Sequence, residues 1–419
     1  MSLTYPTRLM AFEHTQKCNW MTQILNHVCD RPVQPNYAEH CQIARSINAG
    51  DGLMDPVIEW VMQAPKERRK LFETALFQGL DHLQGDAIKY IHDDVKVLYD
   101  FFAQVEQIPS WVDQKKIQNA VNFTHRLGIN NGFVLRDVSL MAGYMFPGFN
   151  QPLVLTGALK QQVNVRLAET TKWWIDITET DGLQRFHSGF TSTIYVRFIH
   201  ALVRHQLKKS ERWDSKTWGV PINQYDLALT NIAFSNVVLL GVRALGIFPN
   251  KTEVDEYLHF WRYVGWLMGV EEKWLINKES EAWRMIYWLQ FSHPASDESS
   301  AALGASLSKE PFFREYRHFR PLQQKLAYRQ HLEITQFFIG KKRMQSLGLR
   351  TRPASWFAYY LIMRNLILYT GAKRSPKLSQ YLQNQGRRMQ KMGLSLYQSP
   401  NNKNQSNKSP SKQLASMHQ

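Results

Sequence analysis

Apolar side chains recur at three- and four-residue steps along most of this chain, and no other feature constrains its fold as strongly. The pattern begins after Pro56 with Val57, Trp60, Val61, Leu71, Phe72, Ala75 and Leu76. Such spacing places apolar groups on one face of a helix. It predicts further helices around 131–146, 163–178, 187–208, 223–246, 252–269, 321–340 and 354–370. Sustained strand alternation and repeats of fixed period are missing, so we predict an all-α protein.

Length and composition fit one large domain with two flanking segments. The chain has 419 residues, of which 44% are hydrophobic, enough for a substantial buried core. We predict an irregular leader over 1–55, a helical domain over 56–371 and a basic, disordered tail over 372–419, where polar residues dominate. Within the domain, the segment from Ser110 to Asp113 resembles a capping box that opens the next helix.

Positive charge is concentrated at the C-terminal end. From Lys341 to Gln419 there are 15 Lys and Arg residues and no Asp or Glu, so this portion supplies +15 of the net +16. The asymmetry predicts an anionic membrane surface as partner, with nucleic acid as the less favoured choice and a merely solubilising tail as the alternative. The apolar segment Trp356–Tyr369, interrupted by Arg364, fits a core helix or one lying in a membrane interface.

The cysteines and the N-terminal residues bear on cellular location. Cys18, Cys29 and Cys41 are an odd number without a secretory signal, so we expect reduced thiols. The histidines near them match no zinc spacing, which favours incidental placement. We find no run with the uninterrupted apolar length of a transmembrane helix. The protein is expected to be cytoplasmic, with peripheral contact to a membrane.

One predicted helical face combines a histidine with two arginines. Arg197, His200 and Arg204 are three and four positions apart on one side of the helix over 187–208, and the rest of that side is apolar. One interpretation is a core histidine bonded to a backbone carbonyl, with both arginines reaching solvent. The other is a site for a large anionic group that takes a nitrogen ligand, as heme does through its iron and two propionates.

Motifs on both sides of this face together resemble a known family. Residues 166–170 read R-L-A-E-T, and the histidine helix reads V-R-x-x-H-A-x-V-R. Residues 218–226 read W-G-V-P-I-N-Q-Y-D, and residues 257–270 read Y-L-H-F-W-R-Y-V-G-W-L-M-G-V. Over about 95–340 the chain resembles the catalytic domain shared by latex-clearing protein, the bacterial rubber oxygenase, and the MpaB-type ER-bound oxygenases.

The resemblance implies a globin-like helical core around heme b, and an oxygenase that uses dioxygen on an apolar unsaturated substrate. On this comparison His200 is the iron ligand, Arg166 and Thr170 lie beside the heme, and Arg197 and Arg204 bracket it. Imidazole and guanidinium groups suit iron and propionates, respectively. Because the chain has no C-x-x-C-H motif, the heme is expected to be held non-covalently.

The chain departs from the family on the catalytic side. Latex-clearing proteins have a lysine directly before the threonine that corresponds to Thr170, and here that position is Glu169. We therefore expect Arg166, Glu169 and Thr170 to form the catalytic group without a distal lysine. The segment Val138–Leu167 contains no Asp or Glu, whereas those enzymes have a glutamate there as proposed base. Small isoprenoids or other unsaturated lipid-like molecules are the expected substrates, rather than polyisoprene.

Other chemistries find little support in the sequence. A Gly-rich phosphate loop, a Ser-His-Asp order and paired carboxylates at catalytic spacing are not apparent. The alternative to an oxygenase is a non-catalytic helical protein, either a heme carrier or sensor or a membrane- or nucleic-acid-binding protein that shares only the fold. Several tryptophans are expected in the core rather than in a substrate cavity: Trp173, Trp174, Trp213, Trp218, Trp261 and Trp266.

Overall fold

The computed structural model describes residues 5–15, 26, 35–83, 95–157 and 163–397. Its helices are α1 (Tyr37–Ile47), α2 (Met54–Val61), α3 (Pro65–Gln78), α4 (Lys96–Glu106), α5 (Gln114–Leu127), α6 (Ile129–Val134), α7 (Pro147–Leu155), α8 (Val163–Ile177), α9 (Ser188–Lys208), α10 (Gln224–Phe234), α11 (Asn236–Ala244), α12 (Lys251–Leu267), α13 (Glu279–Leu289), α14 (Glu298–Lys309), α15 (Arg320–Ser346), α16 (Trp356–Arg374) and α17 (Pro376–Ser395), with a π-helical turn at Leu135–Leu140. No β-strand occurs in the described ranges. The all-α prediction is confirmed.

Side-chain caps fix where several helices begin. The Asp113 carboxylate accepts hydrogen bonds from the backbone N–H groups of Lys115 and Lys116 and so opens α5. The predicted capping position at Ser110 is therefore wrong by one turn, because the acid that ends the motif acts as the cap itself. At α12, Asn250 and Glu253 form a reciprocal capping box.

Helical structure extends into both segments that composition predicts to be irregular. α1 lies inside 1–55, where the Asn36 side chain accepts a hydrogen bond from the backbone of Ala38 and starts the helix. α17 lies inside 372–419, and the Ser375 hydroxyl caps it. The predictions of an irregular leader and a disordered tail are wrong over these two helices. Residues 398–419, the rest of the predicted tail, lie outside the described residues.

α17 packs against α5 through an unusual inner face. Its buried positions are Leu382, Gly386 and Gln390. The Gln390 amide donates hydrogen bonds to the backbone carbonyls of Thr124 and Gly128 at the end of α5. Composition misses this helix because a glycine and a glutamine occupy places where aliphatic side chains usually mark a buried face.

Two hydrophobic clusters form the interior. In the larger one, α2, α3, α4 and α9 meet, and Phe72 stacks on Phe198 with ring centres 4.4 Å apart. The smaller one joins α8, α14 and α15 and includes Leu167 and Leu332. α8 contributes to both, because Leu167 belongs to the smaller cluster and Trp174 to the larger. The interior therefore divides along α8, between its N-terminal and C-terminal halves.

Beside the smaller cluster, the π-helical turn carries a buried network of charges. Arg136 pairs with Asp137 and, at 2.9 Å, with Glu310, which also pairs with Arg314 at 2.7 Å. His331 Nδ1 lies 2.6 Å from the Asp137 carboxylate. Burial raises the pKa of Asp137 to about 7, whereas for Glu310 the two arginines outweigh burial and lower the pKa to about 2. The cations and anions neutralise each other, so the network fastens the turn to α14 and α15.

One stretch, Gln224–Ala244, is long and apolar enough to cross a membrane when only length and composition are considered. This differs from the expectation that no run reaches such a length. The stretch comprises α10 and α11, is interrupted at Ser235, and has more than half of its residues buried inside the protein. Central helices of a globular domain have the same character, so this stretch does not by itself indicate a membrane span.

Candidate functional site

α8 and α9 form an antiparallel pair that sets the register of the site. The first turn of α9 lies against the last turn of α8, where Gly189 approaches the Ile177 backbone. One turn further, Trp173 Nε1 donates a hydrogen bond to Thr193 Oγ1 at 3.0 Å. Continuing the same register for two more turns brings the N-terminal part of α8 opposite the middle of α9. This register places the turn that contains Arg166 at the level of His200 along the helix pair.

His200 lies on the less completely buried side of α9. Together with Val196, Ile199 and Val203 it forms a stripe on α9 that is only partly buried, although the opposite side of the helix is fully packed. His200 Nδ1 is buried and has no hydrogen-bond partner among the described residues. The predicted core histidine, held by a backbone carbonyl, finds no such bond at this nitrogen. The ring therefore has an unused polar atom.

The His200 ring is neutral at physiological pH. Burial is the main cause that lowers its pKa to about 4, and the nearby Arg204 guanidinium lowers it further. Neutral imidazole is the form that ligates metal ions. The environment of His200 therefore favours a ligand role over a charged one.

The facing turns of α8 carry an acid that titrates near neutrality. Burial raises the pKa of Glu169 to about 7, although the Arg166 guanidinium one turn away opposes this shift. Glu169 Oε1 is buried without a hydrogen-bond partner in the described part of the chain. Arg166 also lies beside the Tyr144 hydroxyl, whose pKa is raised by burial in spite of that cation. This part of α8 therefore offers a carboxyl group that can exchange its proton near pH 7.

Aromatic side chains continue the site beyond Thr170, which is exposed. The Trp173 ring contacts Phe234 and Trp261, with ring centres 5.4 and 6.2 Å apart, and Phe234 stacks on Trp261 at 5.2 Å. The tryptophans predicted to be core residues divide in two. Buried ones are Trp174, Trp213 and Trp261, and partly buried ones are Trp173, Trp218 and Trp266. Trp173 thus borders the site and the remaining five lie in or against the protein interior.

Arg197 is fully engaged by protein groups, which does not support its predicted place beside a cofactor. Its Nε and Nη2 bind the two Asp51 carboxylate oxygens at 2.6 and 2.7 Å, and Nη1 donates to the Leu267 carbonyl. Burial opposes ionisation of Asp51, but Arg197 outweighs it and lowers the pKa of the carboxyl. A Cβ on Gly269 would lie 2.3 Å from Asp51 Oδ2, so the pair requires glycine there.

Arg204 is engaged in the same way. It pairs with Asp55 and donates to the carbonyls of Pro221, at 3.1 Å, and Ile222, at 2.8 Å. These contacts also leave its predicted cofactor role without support. Asp51 and Asp55 were missed in the sequence because both lie in the supposed leader. A signal was present, however: two arginines on a mostly apolar face require carboxylates from elsewhere, and these two are one turn apart.

Side chains of the motif at 218–226 form hydrogen bonds and an ion pair that connect the segments around Arg197 and Arg204. The Asn223 side chain caps α10, and the Gln224 amide donates to the carbonyls of Gly50 and Gly269, both at 2.9 Å. Asp226 binds the Arg8 guanidinium through both carboxylate oxygens at 3.0 and 2.9 Å. The motif therefore holds the ends of α2, α10 and α12 around the arginines of α9.

Together these features define an all-α protein in which a neutral histidine of α9 lies at the level of a polar turn on the neighbouring antiparallel helix α8. A family model for the catalytic domain of ER-bound oxygenase mpaB/B′ and rubber oxygenase matches residues 125–367. The chain belongs to this oxygenase family, which confirms the resemblance seen in the sequence. The matched region contains α8 and α9, and so all the predicted catalytic and cofactor-binding positions.

Two relatives show how far the similarity extends. Rubber oxygenase from Streptomyces sp. (strain K30) is 25% identical over 182 residues, which make up 42% of this chain and 44% of that protein. The similarity thus covers less than half of the length of that relative. The structure of latex clearing protein LCP in the closed state matches with a TM-score of 0.63 at 20% identity, covering 82% of this chain and 91% of that chain. The second likeness shows a shared fold.

Proposed function

We propose that this chain binds heme b through His200 and uses dioxygen to oxidise an apolar unsaturated substrate. The observation that carries the proposal is the state of His200, a neutral imidazole whose Nδ1 is buried without a hydrogen-bond partner among the described residues. A buried polar atom without a partner costs about 1–3 kcal/mol. A group that takes this ring as its ligand offsets this cost. Membership in an oxygenase family supports the same function.

The residues around His200 fit heme better than a bare metal ion. A single protein nitrogen suffices for heme iron, because the porphyrin supplies the in-plane ligands. A bare ion needs several protein ligands, and the described residues contain no group of three or more His, Cys, Asp or Glu that could hold one. Val196, Ile199 and Val203 flank His200 with partly buried aliphatic groups that suit a macrocycle. Arg166, on the facing helix, suits a propionate.

Each side chain of the site then has a definite task. When bound, heme supplies an iron that binds and activates dioxygen. His200 holds the group in place, and the partly buried rings of Trp173 and Phe234 offer an apolar surface that binds substrate and excludes water. Glu169 keeps its proton up to about pH 7 and exchanges it at Oε1. Arg166 beside it stabilises the ionised form.

The same residues set an expectation for the substrate. Glu169 provides the acid–base group in a part of the chain where Val138–Leu167 offers no carboxylate. It differs in position and charge from the groups that the family resemblance implies for polymer cleavage. We therefore propose a small isoprenoid or unsaturated lipid as substrate and expect poor cleavage of polyisoprene.

Heme binding tests the central assignment directly. Hemin is titrated into the parent protein, into His200→Gln and into the control His205→Gln, which changes a histidine on the same helix. The parent and the control should show a Soret band that saturates at one heme per chain, and His200→Gln should lose it while retaining its helical circular dichroism. A parent-like spectrum in His200→Gln would overturn the ligand assignment.

A second experiment tests the reaction itself. Heme-loaded protein is incubated with dioxygen, with and without reductant, against short isoprenoids, unsaturated lipids and polyisoprene. Oxygen uptake and carbonyl products, measured by mass spectrometry, should appear with the small substrates and depend on His200. Heme binding without turnover on any of them would contradict the oxygenase proposal and identify a carrier or sensor.

A further inference from the structure

One side of α16 exposes a continuous row of large apolar side chains. Trp356, Tyr360, Met363 and Ile367 are spaced by four, three and four residues and so form a single stripe, here named the α16 face. Their exposed fractions are 67%, 59%, 61% and 71%, respectively. Isolated exposed apolar residues are common on proteins, but a contiguous row marks a surface that meets a partner.

The opposite side of α16 is firmly seated, so the exposure does not come from a loosely attached helix. Ala358, Leu361, Asn365 and Tyr369 are buried there. The Asn365 amide donates to Asn130 Oδ1 at 2.8 Å and to a backbone carbonyl of the α11 end at 2.9 Å. The Tyr369 hydroxyl donates to another carbonyl, at the end of α5, at 2.6 Å. The packed helix therefore presents the α16 face as a fixed surface.

Positive charge lies at both ends of the α16 face. Arg350 and Arg352 precede the helix, and Lys373 and Arg374 end it. The stretch from residue 341 onward has no carboxylate to neutralise them. In the described part of this stretch, the salt bridges are those that Arg387 and Lys391 make with Glu179. The apolar row is thus bordered by cations that form no ion pair with the described residues.

We propose that the α16 face binds the surface of an anionic lipid bilayer, with the helix lying in the interface. Trp and Tyr are the side chains that favour the boundary between headgroups and acyl chains. Met363 and Ile367 provide the aliphatic part that enters the acyl region. The flanking cations meet anionic headgroups. Apolar burial combined with a basic border supplies the two contributions that stable peripheral binding requires.

Other occupants fit these groups less well. In a twofold pairing of two copies through this face, the cations at its ends would approach each other without a facing carboxylate. A nucleic acid would satisfy the cations, but its phosphates would leave the aliphatic centre exposed to water or to charge. The proposal does not depend on heme or on the oxygenase activity, and it can fail or hold independently of both.

Vesicle binding by the full chain tests the apolar part. Sedimentation with phosphatidylcholine vesicles that contain phosphatidylserine is compared for the parent, for Met363→Ser/Ile367→Ser and for the control Tyr99→Ser/Ile108→Ser. The control removes two exposed apolar side chains from other elements, with exposed fractions of 46% and 50%. We expect the α16 variant to bind about tenfold more weakly or worse, and the control to bind like the parent.

Charge variants and salt test the electrostatic part. Lys373→Gln/Arg374→Gln should weaken binding by about tenfold, and the control Lys208→Gln/Lys209→Gln, with the same net charge, should not. Added salt should weaken parent binding, and neutral phosphatidylcholine vesicles should bind it poorly.

Four results would overturn the proposal. They are parent-like vesicle binding by a folded Met363→Ser/Ile367→Ser variant, equal binding to neutral and anionic vesicles, a parent dimer that this variant abolishes in the absence of lipid, and salt-sensitive duplex DNA binding that outcompetes vesicles. The third would assign the face to a second copy, and the fourth to nucleic acid.

Discussion

Neighbouring side chains on α9 differ in whether their buried nitrogens have hydrogen-bond partners, and this contrast draws attention to His200. Arg197 and Arg204 have every guanidinium nitrogen hydrogen-bonded to carboxylates or carbonyls. His200, between them, keeps Nδ1 unpartnered within the described residues. Since buried polar groups are usually satisfied, this nitrogen is one of the positions in the described residues where a further group could bind. Burial, helped by the Arg204 guanidinium, keeps the ring neutral.

Glu169 yields a prediction at the same scale. Its folded-state pKa of about 7 exceeds the ordinary value of 4.5, so the fold disfavours the carboxylate. The resulting cost to stability is small below pH 4.5 and grows as the pH rises to 7. Glu169→Gln should therefore raise the free energy of unfolding by about 1–2 kcal/mol at pH 8, a value reduced for the partial exposure of the group. Urea unfolding of the heme-free protein measures this.

The comparison at pH 4.5 is the control, because both folded proteins then carry a neutral side chain at position 169 and the unfolded chain is only half ionised there. Their free energies of unfolding should agree there within error. An equal difference at pH 4.5 and pH 8 would show that the substitution acts through packing and not through charge.

At the scale of elements, an ion pair between Arg197 and Asp51, 146 residues apart in sequence, fastens α9 to the loop before α2. Arg197→Met should cost about 3–5 kcal/mol, because it leaves the Asp51 carboxylate buried without a cation. Adding Asp51→Asn removes that charge and should recover about half of the loss. Unfolding in urea at pH 7 measures both variants. If Arg197→Met instead keeps its stability and loses only hemin affinity, the arginine binds the cofactor as the resemblance implies.

The crossing of α5 and α17 allows a sharper test of packing. A Cβ on Gly386 would lie 2.0 Å from the His125 carbonyl oxygen and 3.0 Å from the Gly128 Cα. Because both contacts are with backbone, the helices must separate, and Gly386→Ala should lower the free energy of unfolding by about 2–3 kcal/mol. Gly393, on the same helix, has open space at its Cβ position. Gly393→Ala should gain up to about 1 kcal/mol from helix propensity.

Thermal and urea unfolding measure the two glycine variants side by side. A loss in both would indicate that α17 tolerates no added methyl group for reasons unrelated to the crossing. No loss in Gly386→Ala would mean that α17 does not pack against α5 as closely as the structure shows.

At the scale of the whole molecule, local sequence patterns predicted the helices but not the contacts between residues that are distant in sequence. Periodicity marks α9, and the spacing of His200 within it marks the site, because both depend on neighbours in sequence. The Asp51 partner of Arg197 could not be found this way, since their contact depends on how α2 and α9 pack. The surroundings of His200 likewise depend on how α8 and α9 pack. α17 escaped prediction because its contact surface is a glycine and a glutamine.

The pKa values of buried side chains predict how the stability of the whole molecule depends on pH. Four buried histidines, His125, His200, His293 and His331, have pKa values that burial lowers, to about 4 for the first two. Each is neutral in the fold and takes up a proton on unfolding below pH 6.5, so each destabilises the fold as the pH falls from 6.5 towards 4. Glu169 and Asp137, with pKa values of about 7, release protons on unfolding and oppose this trend.

His205 and His259 also have lowered pKa values, and Asp55 and Asp176 also have raised ones. Six proton-binding groups thus outnumber four that release protons, so the net effect keeps the sign of the histidines. The free energy of unfolding of the heme-free protein should fall by about 1–3 kcal/mol for each pH unit between 6.5 and 4.5. Urea unfolding at closely spaced pH values gives the slope. His125→Gln should make it shallower by about one proton, whereas His187→Gln, which changes a histidine at the exposed start of α9, should leave it unchanged. A flat profile would contradict the predicted excess of lowered histidine pKa values over raised carboxyl pKa values.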